Sequence, residues 1–241
     1  MSKTAAIILI GNEILSGKVT DLNAAYLCRE LRALGVDVRK ISVIADDVGL
    51  IGQEVAEFAK RYDIVFTSGG VGPTHDDVTI EGVAKGLGVR VIEHPTLVSR
   101  LEQLYRRPLN DARLKMAQVP EGAELLADEL LFPVIAVSNL YIFPGVPEIF
   151  REKFDAIKER FRDQPFHLVN VYVRIGEGTL ATYLNELLSR YPDLLLGSYP
   201  DFSNPDYKVK VTLESKDRDY LTQALEEFVE SLPQDGLVRV E

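Results

Sequence analysis

Cysteine occurs once in the 241 residues, at Cys28, which excludes an internal disulfide and any cysteine-based metal cluster. Its setting, AAYLCREL, has helical spacing and reads as a buried structural thiol. Histidine is nearly as scarce. His75, His94 and His167 are too scattered to suggest a zinc site, and the last two read as structural. No apolar run is long enough to span a bilayer, so no membrane partner is expected. The start, MSKTAAIILIGNEI, has a lysine and a short apolar run but no small-residue cleavage pattern; it reads as the first strand of a cytoplasmic protein. Positive charge is also short. A formal net charge of -10 argues against a nucleic-acid partner, because binding to a phosphate backbone draws on a cationic surface. A small anionic ligand remains compatible with an acidic chain when metal or backbone donors meet it locally.

What is present is a globular composition, with 46% hydrophobic and 27% charged residues. The first part alternates short apolar runs with helical stripes. Strands are predicted at 5–11, 36–46 and 63–70, and helices at 23–35, 48–62, 79–87 and 94–106. Strands separated by helices of this length predict a largely parallel α/β sheet, covered on both faces in three layers. Further on, a helical piece near 109–117, the runs PVIAV and LYIF as a hairpin or two late strands, and a helix over 147–161 complete a first domain, 1–164. Residues 165–241 then run β-α-β-β-α-β, the order of a second, small ferredoxin-like α+β domain.

Chemistry concentrates where the predicted strands end. SGGVGPTHDDVT (68–79) places Gly69, Gly70 and Gly72 behind a central strand, where backbone N–H groups can approach a phosphate or a flat ring. The loop has neither the GK[ST] ending of a phosphate-binding P-loop nor the dinucleotide G-x-G-x-x-G pattern. Asp76 and Asp77 follow, one able to cap the next helix and one to face a cleft. His75 can contact phosphate, shuttle a proton, or serve as a hydrogen-bonded loop residue. There is no G-x-S-x-G elbow, and Ser68 has no evident base partner, so a serine triad is not expected.

Other loops add candidates. GNEILSGKVTDLN (11–23) offers Gly11, Asn12 and Glu13, with Thr20, Asp21 or Asn23 as caps. Asp46 and Asp47 follow the second strand; hard carboxylate oxygens there, with pyrophosphate oxygens, are what Mg²⁺ selects. Each pair also has a plain reading as a helix cap or surface acid. In FPGVPEIF, Pro144 and Gly145 fix a strand end, and Glu148 can reach a metal or complement a helix N-terminus. In LGSYPD, Tyr199 can stack on a base or cover the edge of the core.

These motifs, over about residues 4–160 and in the family's order, resemble the molybdopterin-binding-like domain. That domain is shared by molybdopterin adenylyltransferases, the amino-terminal part of the CinA proteins and the amino-terminal domain of eukaryotic FAD synthases. The small domain with LGSYPD resembles the extension of the CinA and FAD synthase members. The resemblance assigns Asp46 and the Asp76-Asp77 pair to the metal and phosphate region, the glycines to the phosphate or ring cradle, and Asn12 and Glu13 to the same cleft. With the reading of the residues themselves, the expected nucleotide cleft comprises Gly11, Asn12, Glu13, Ser68, Gly69, Gly70, Gly72, Thr74, His75, Pro144, Gly145 and Tyr199, with Asp46, Asp76 and Asp77 as catalytic groups and, with Glu148, as ligands of Mg²⁺, or of Mn²⁺ or Co²⁺.

In the transferases the glycine loop typically reads GGTG followed by an Arg-Asp pair. Here Asp76 takes the place of that arginine, so the resemblance favours a metal-dependent nucleotide pyrophosphatase that releases AMP from ADP-ribose or FAD. Molybdopterin adenylyl transfer and a non-catalytic pterin- or nucleotide-binding module are the alternatives. A homo-oligomer is expected, a dimer ahead of a trimer. Neither deamidation of nicotinamide mononucleotide nor synthesis of FAD is expected, as this chain carries no deamidase or downstream synthase domain.

Overall fold

Side chains alternate across a strand with a period of two, so a strand buried on both faces feeds two cores at once. In β1 (Thr4–Ile10), Ala5, Ile7 and Leu9 enter one core, while Ala6, Ile8 and Ile10 enter the other. The computed structural model that shows this describes residues 2–106 and 108–241. Its contacts divide into two units, Met1–Asp163 and Gln164–Glu241.

The first unit continues through α1 (Asn12–Leu15), α2 (Asn23–Ala33), β2 (Asp37–Ile44), α3 (Val48–Arg61), β3 (Ile64–Ser68), α4 (Thr79–Leu87), β4 (Val91–Glu93), α5 (Pro95–Tyr105), α6 (Asp111–Lys115), β5 (Gln118–Pro120), β6 (Glu124–Leu126), β7 (Val134–Val137), β8 (Leu140–Phe143) and α7 (Pro147–Ile157). The main sheet has the order β2-β1-β3-β8-β7-β6. Its first four strands are parallel, and β7 and β6 are antiparallel additions at one edge.

Helices α2 and α7 cover one face, where Leu27, Leu31, Phe150 and Phe154 pack with Phe66, Phe143 and Phe161. Helices α3 and α4 cover the other with Ile51, Val55, Phe58, Ile80 and Val83. Burying each such side chain contributes about 1.5–3 kcal/mol. Two of the helix contacts are too close for a β-carbon. A methyl on Gly82 would sit 2.4 Å from Ile51, and one on Gly86 would sit 2.6 Å from the Gly52 carbonyl.

The structure departs from the sequence expectation in several places. Residues 12–15, read as loop, form the single turn α1, and the helix predicted over 147–161 ends at Ile157, where a 3-10 turn, Lys158–Phe161, begins. Strands β4, β5 and β6 have no counterpart in the sequence reading. Each is three residues long, too short for a period-two pattern to register.

The second unit comprises β9 (His167–Val173), α8 (Glu177–Arg190), β10 (Leu195–Pro200), β11 (Val209–Ser215), α9 (Arg218–Ser231) and β12 (Leu237–Val240). Its sheet order is β10-β11-β9-β12, antiparallel throughout, which is the split-βαβ topology. Val171, Val173, Val209, Val211 and Leu213 pack under Leu180, Leu184, Leu187, Leu221, Ala224 and Phe228. Among the described residues no helix is long and apolar enough to cross a membrane.

Candidate functional site

Four adjacent parallel strands, β2, β1, β3 and β8, end on the same side of the first unit's sheet, and their loops meet there. This is the place where open α/β sheets bind ligands. After β1, Gly11 donates to the Ile44 carbonyl at 3.1 Å, and the Glu13 carboxylate folds back to within 2.5 Å of where a Gly11 β-carbon would stand. Asp46, past β2, accepts from the Asn12 N–H at 2.8 Å. The loop after β3 turns on Gly69 at φ 108° and Gly70 at φ 62°. A side chain on Gly69 would place its β-carbon 2.0 Å from the Ile10 carbonyl oxygen, so only glycine fits. Gly145, after β8, lies within 3.4 Å of the Gly69 α-carbon by the same measure.

Thr79 and Asn23 hold these loops in place. The buried Thr79 hydroxyl donates to the Gly69 carbonyl at 2.7 Å, and its N–H donates to the Gly70 carbonyl at 3.0 Å. Asn23, first residue of α2 and 3% exposed, donates through Nδ2 to Ser68 Oγ at 2.9 Å and to the Gly145 carbonyl at 2.8 Å. Its Oδ1 is buried without a partner among the described residues.

Asp76 and Asp77 are organised by Thr74 rather than by the helix that follows. The Thr74 N–H donates to Asp77 Oδ2 at 2.8 Å, and the Thr74 hydroxyl lies 2.6 Å from both Asp76 Oδ1 and Asp77 Oδ2, serving one at a time. Helix α4 accordingly starts at Thr79, with Val78 in the N-cap position and no side-chain cap. The Thr74 hydroxyl bond, and then the backbone, hold the Asp76 carboxyl below the usual carboxylate range. Lys115 Nζ fastens the same turn by donating to the Thr74 carbonyl at 2.8 Å. Asp47 caps α3 through the Leu50 N–H, and the His75 side chain is 97% exposed, 3.8 Å from Asp76.

A cleft of about 470 Å³ opens beside these loops. Of the sequence candidates, Glu13, Gly69, Gly70, Gly72, Asp77, Pro144 and Gly145 line it; Gly11, Asn12, Asp46, Ser68, Thr74, His75, Asp76 and Glu148 do not. The rest of the wall is mostly apolar, with Leu97, Met116, Phe132, Ile135 and Ile149. Among the described residues, the N–H groups of Gly70, Val71 and Gly72 meet no protein acceptor. Such a row of free donors in a glycine turn attracts anions. Tyr199 belongs to the second unit, on β10, where it is 54% exposed with Lys210 Nζ 5.2 Å from its ring centre.

Two polar residues of this region escape the sequence reading. Asn23 looks like a helix cap until its ties across two strands are visible. Lys153 looks like a solvent-face lysine of α7, yet it lines the cleft, and burial brings its ammonium pKa down to about 8.

The acids expected to hold Mg²⁺, Mn²⁺ or Co²⁺ are not assembled into one site. Among the described residues no group of three or more His, Cys, Asp or Glu side chains could hold a metal ion. Asp46 is bonded in the β1–β2 loops, Asp76 and Asp77 in their own turn, and Glu148 stands exposed in the first turn of α7. No metal-borne step follows from this donor set.

Comparison with known proteins places the chain. Residues 6–163 match the family described as "Probable molybdopterin binding domain", and residues 165–241 match "FAD synthase, middle domain". A protein of Archaeoglobus fulgidus is 37% identical over 227 residues, covering 94% of this chain and 96% of that one. The "Probable FAD synthase" of Caenorhabditis elegans is 34% identical over 263 residues, with 95% of this chain aligned; the match spans about half, 49%, of the longer nematode protein. The crystal structure of a CinA protein of unknown function from Thermoplasma acidophilum superposes with a TM-score of 0.62 at 31% identity, covering 67% of this chain and 100% of that one.

These findings correct the expectation of a metal-dependent nucleotide pyrophosphatase. The carboxylates needed for that hydrolysis are held apart, Asp46 by the Asn12 N–H and the Asp76–Asp77 pair by Thr74 in its own turn, and the functionally named relatives are named for synthesis, not hydrolysis. The chain belongs to the molybdopterin-binding domain family, in an arrangement where that domain is followed by a segment similar to the FAD synthase middle domain.

Proposed function

We propose that the chain is an adenylyltransferase-type enzyme whose first unit holds an adenine nucleotide and a phosphorylated flat heterocycle at the carboxyl ends of β1, β3 and β8. One observation carries this reading. A single cleft joins the free N–H groups of the Gly70–Gly72 turn to an apolar wall that includes Leu97, Met116, Phe132 and Ile135. Phosphate suits the donors, and a fused ring suits the wall. The volume of about 470 Å³ lies within the ordinary range for cofactor-sized ligands.

In the transfer, a phosphate oxygen of the acceptor attacks the α-phosphorus of a nucleoside triphosphate. A new oxygen–phosphorus bond forms as the bond to the β-phosphate oxygen breaks, and pyrophosphate leaves. The acceptor phosphate is largely ionised near neutral pH, so no side chain has to remove a proton from it. What the protein supplies is position and N–H donors for the charge that develops on the transferred group.

The acceptor's shared chemistry is a phosphate ester on a flat fused ring. The family match over 6–163 supports a pterin, and the match over 165–241, with the nematode FAD synthase, supports a flavin. ATP consumption measured with molybdopterin, with flavin mononucleotide and with neither tests the reading. Consumption that requires one of the two supports it and identifies the ring; consumption indifferent to both overturns it.

A further inference from the structure

Helix α7 and its C-cap residue, Lys158, carry three cations whose surroundings differ. Lys158 pairs with Glu30 at 3.1 Å and with Asp155 at 2.7 Å, and the Arg151 guanidinium lies 5.3 Å from the centre of the Tyr26 ring. Lys153 has neither kind of partner. Its Nζ donates to the Pro133 carbonyl at 3.0 Å, and among the described residues no carboxylate reaches it at ion-pair distance.

The position follows from the helix. Phe150, Phe154 and Ile157 turn into the core, while Ile149 and Lys153, four residues apart on one stripe, line the cleft. An ammonium partly removed from water, with one of its three hydrogens committed to a carbonyl, is incompletely compensated, and an arriving anion relieves that. The charged groups around it are few: Glu152 beside it on the helix, and Glu13 and Asp77 on the cleft wall.

From this geometry we propose that Lys153 is the phosphate-recognising residue of the cleft, pairing with the phosphate ester of a ring ligand and selecting phosphorylated ligands over their unphosphorylated counterparts. The proposal rests on the reading of the cleft as a ligand site, but it does not require adenylyl transfer to occur. Its electrostatics agree. Burial lowers the Lys153 pKa to about 8, so a bound phosphate must draw that pKa back up. Affinity for a phosphorylated ligand therefore falls as pH rises above about 8, by up to about tenfold per pH unit. The ligand phosphate is already fully ionised over that range, so the loss comes from the lysine.

The test uses the full chain and four probes in two pairs: AMP with adenosine, and flavin mononucleotide with riboflavin. Affinities are measured at about pH 7 and about pH 9.5, and the Lys153 amine is titrated by NMR with and without each probe. The expected result has three parts. The phosphorylated member of at least one pair binds about 10- to 100-fold tighter near neutrality; Lys153→Met lowers that preference, leaving only what the glycine-turn donors supply, while Lys153→Arg keeps it; and the Lys153 titration moves upward with the phosphorylated probe alone. A preference unchanged by Lys153→Met, or a titration unmoved by all four probes, overturns the proposal. If the lysine responds but no adenylyl transfer is found, the functional reading fails and this one stands. If transfer is found with an unresponsive lysine, the reverse holds.

Discussion

The Asn23 side-chain amide donates to the Ser68 hydroxyl at 2.9 Å, and its second hydrogen, on the Gly145 carbonyl at 2.8 Å, ties the end of β3 to the loop after β8. Asn23→Ala removes both bonds from a buried setting and leaves the Gly145 carbonyl without that donor. It also removes the unpartnered Asn23 Oδ1, which offsets part of the loss. The expected net cost is about 1–3 kcal/mol in urea unfolding, together with weaker nucleotide binding because two cleft-forming loops are released. A variant as stable as the parent would contradict this account of the tie.

Gly69→Ala has a backbone obstacle, not a side-chain one. With φ at 108° and the Ile10 carbonyl oxygen 2.0 Å from the new β-carbon, neither partner can move without disturbing the strand. The expected loss is at least about 3 kcal/mol. Gly17→Ala is the matched control. Its φ is 70° but its surroundings are open, so it should cost about 1–2 kcal/mol. Equal losses at the two sites, read from urea midpoints, would show that clash adds nothing to conformation.

Thr74→Val tests whether the acidic turn is a structural unit. It removes the hydroxyl that lies 2.6 Å from both Asp76 and Asp77 and leaves the Thr74 N–H bond to Asp77 intact. The Asp76 carboxyl should then return upward toward its ordinary pKa, since that hydroxyl is the largest cause of its depression. A depressed carboxylate stabilises the turn above its unfolded pKa, and the effect is lost as pH falls through the folded value. Amide exchange of residues 72–77 should thus be slower in the parent than in the variant near neutrality, and the two should converge in acid. Global stability should change little because both carboxylates lie at the surface.

Lys153 gives a stability effect of the same sign in a higher pH window. Its folded pKa of about 8 lies below the ordinary 10.5, so between those values the unfolded chain binds more protons than the folded one. Stability from this group therefore rises with pH across about 8 to 10.5. The parent should gain on Lys153→Met over that window in parallel thermal melts, and the difference between them should be flat below it. A parent that fails to gain on the variant across that window would contradict the assigned burial.

Much of the fold is legible in the sequence because its main elements are long and periodic. The run AAIILIG, buried on both faces, marks a central strand, and the stripe Ile51, Val55 and Phe58 marks the helix over it. Order β-α-β-β-α-β over the last residues fixes the split-βαβ sheet. Strands of three residues such as β4 carry no period to read. The glycines after β3 are legible as a loop that must approach something. What they approach is not, because the cleft wall draws on Leu97, Met116, Phe132 and Ile149 from segments far apart in sequence.

The charged residues divide in the same way. Two adjacent aspartates suggest a metal, yet the Thr74 N–H and hydroxyl, two and three residues away, engage both carboxylates locally. Lys153 falls among charged residues on an amphipathic helix and has no sequence mark that separates it from Lys158. The structure distinguishes them: Lys153 lines the cleft and donates to the Pro133 carbonyl, while Lys158 is ion-paired with Glu30 and Asp155. Favouring hydrolysis from the acidic pair gave that pair a role which its hydrogen bonds do not support.

The most direct test of adenylyl transfer follows the α-phosphate itself. ATP labelled at that position is incubated with the full chain and with flavin mononucleotide or molybdopterin, and the products are separated. Movement of label into a dinucleotide-type product, with pyrophosphate released in equal amount, is the predicted result. Label found only as AMP, or AMP released from added FAD with no transfer to either acceptor, would contradict it.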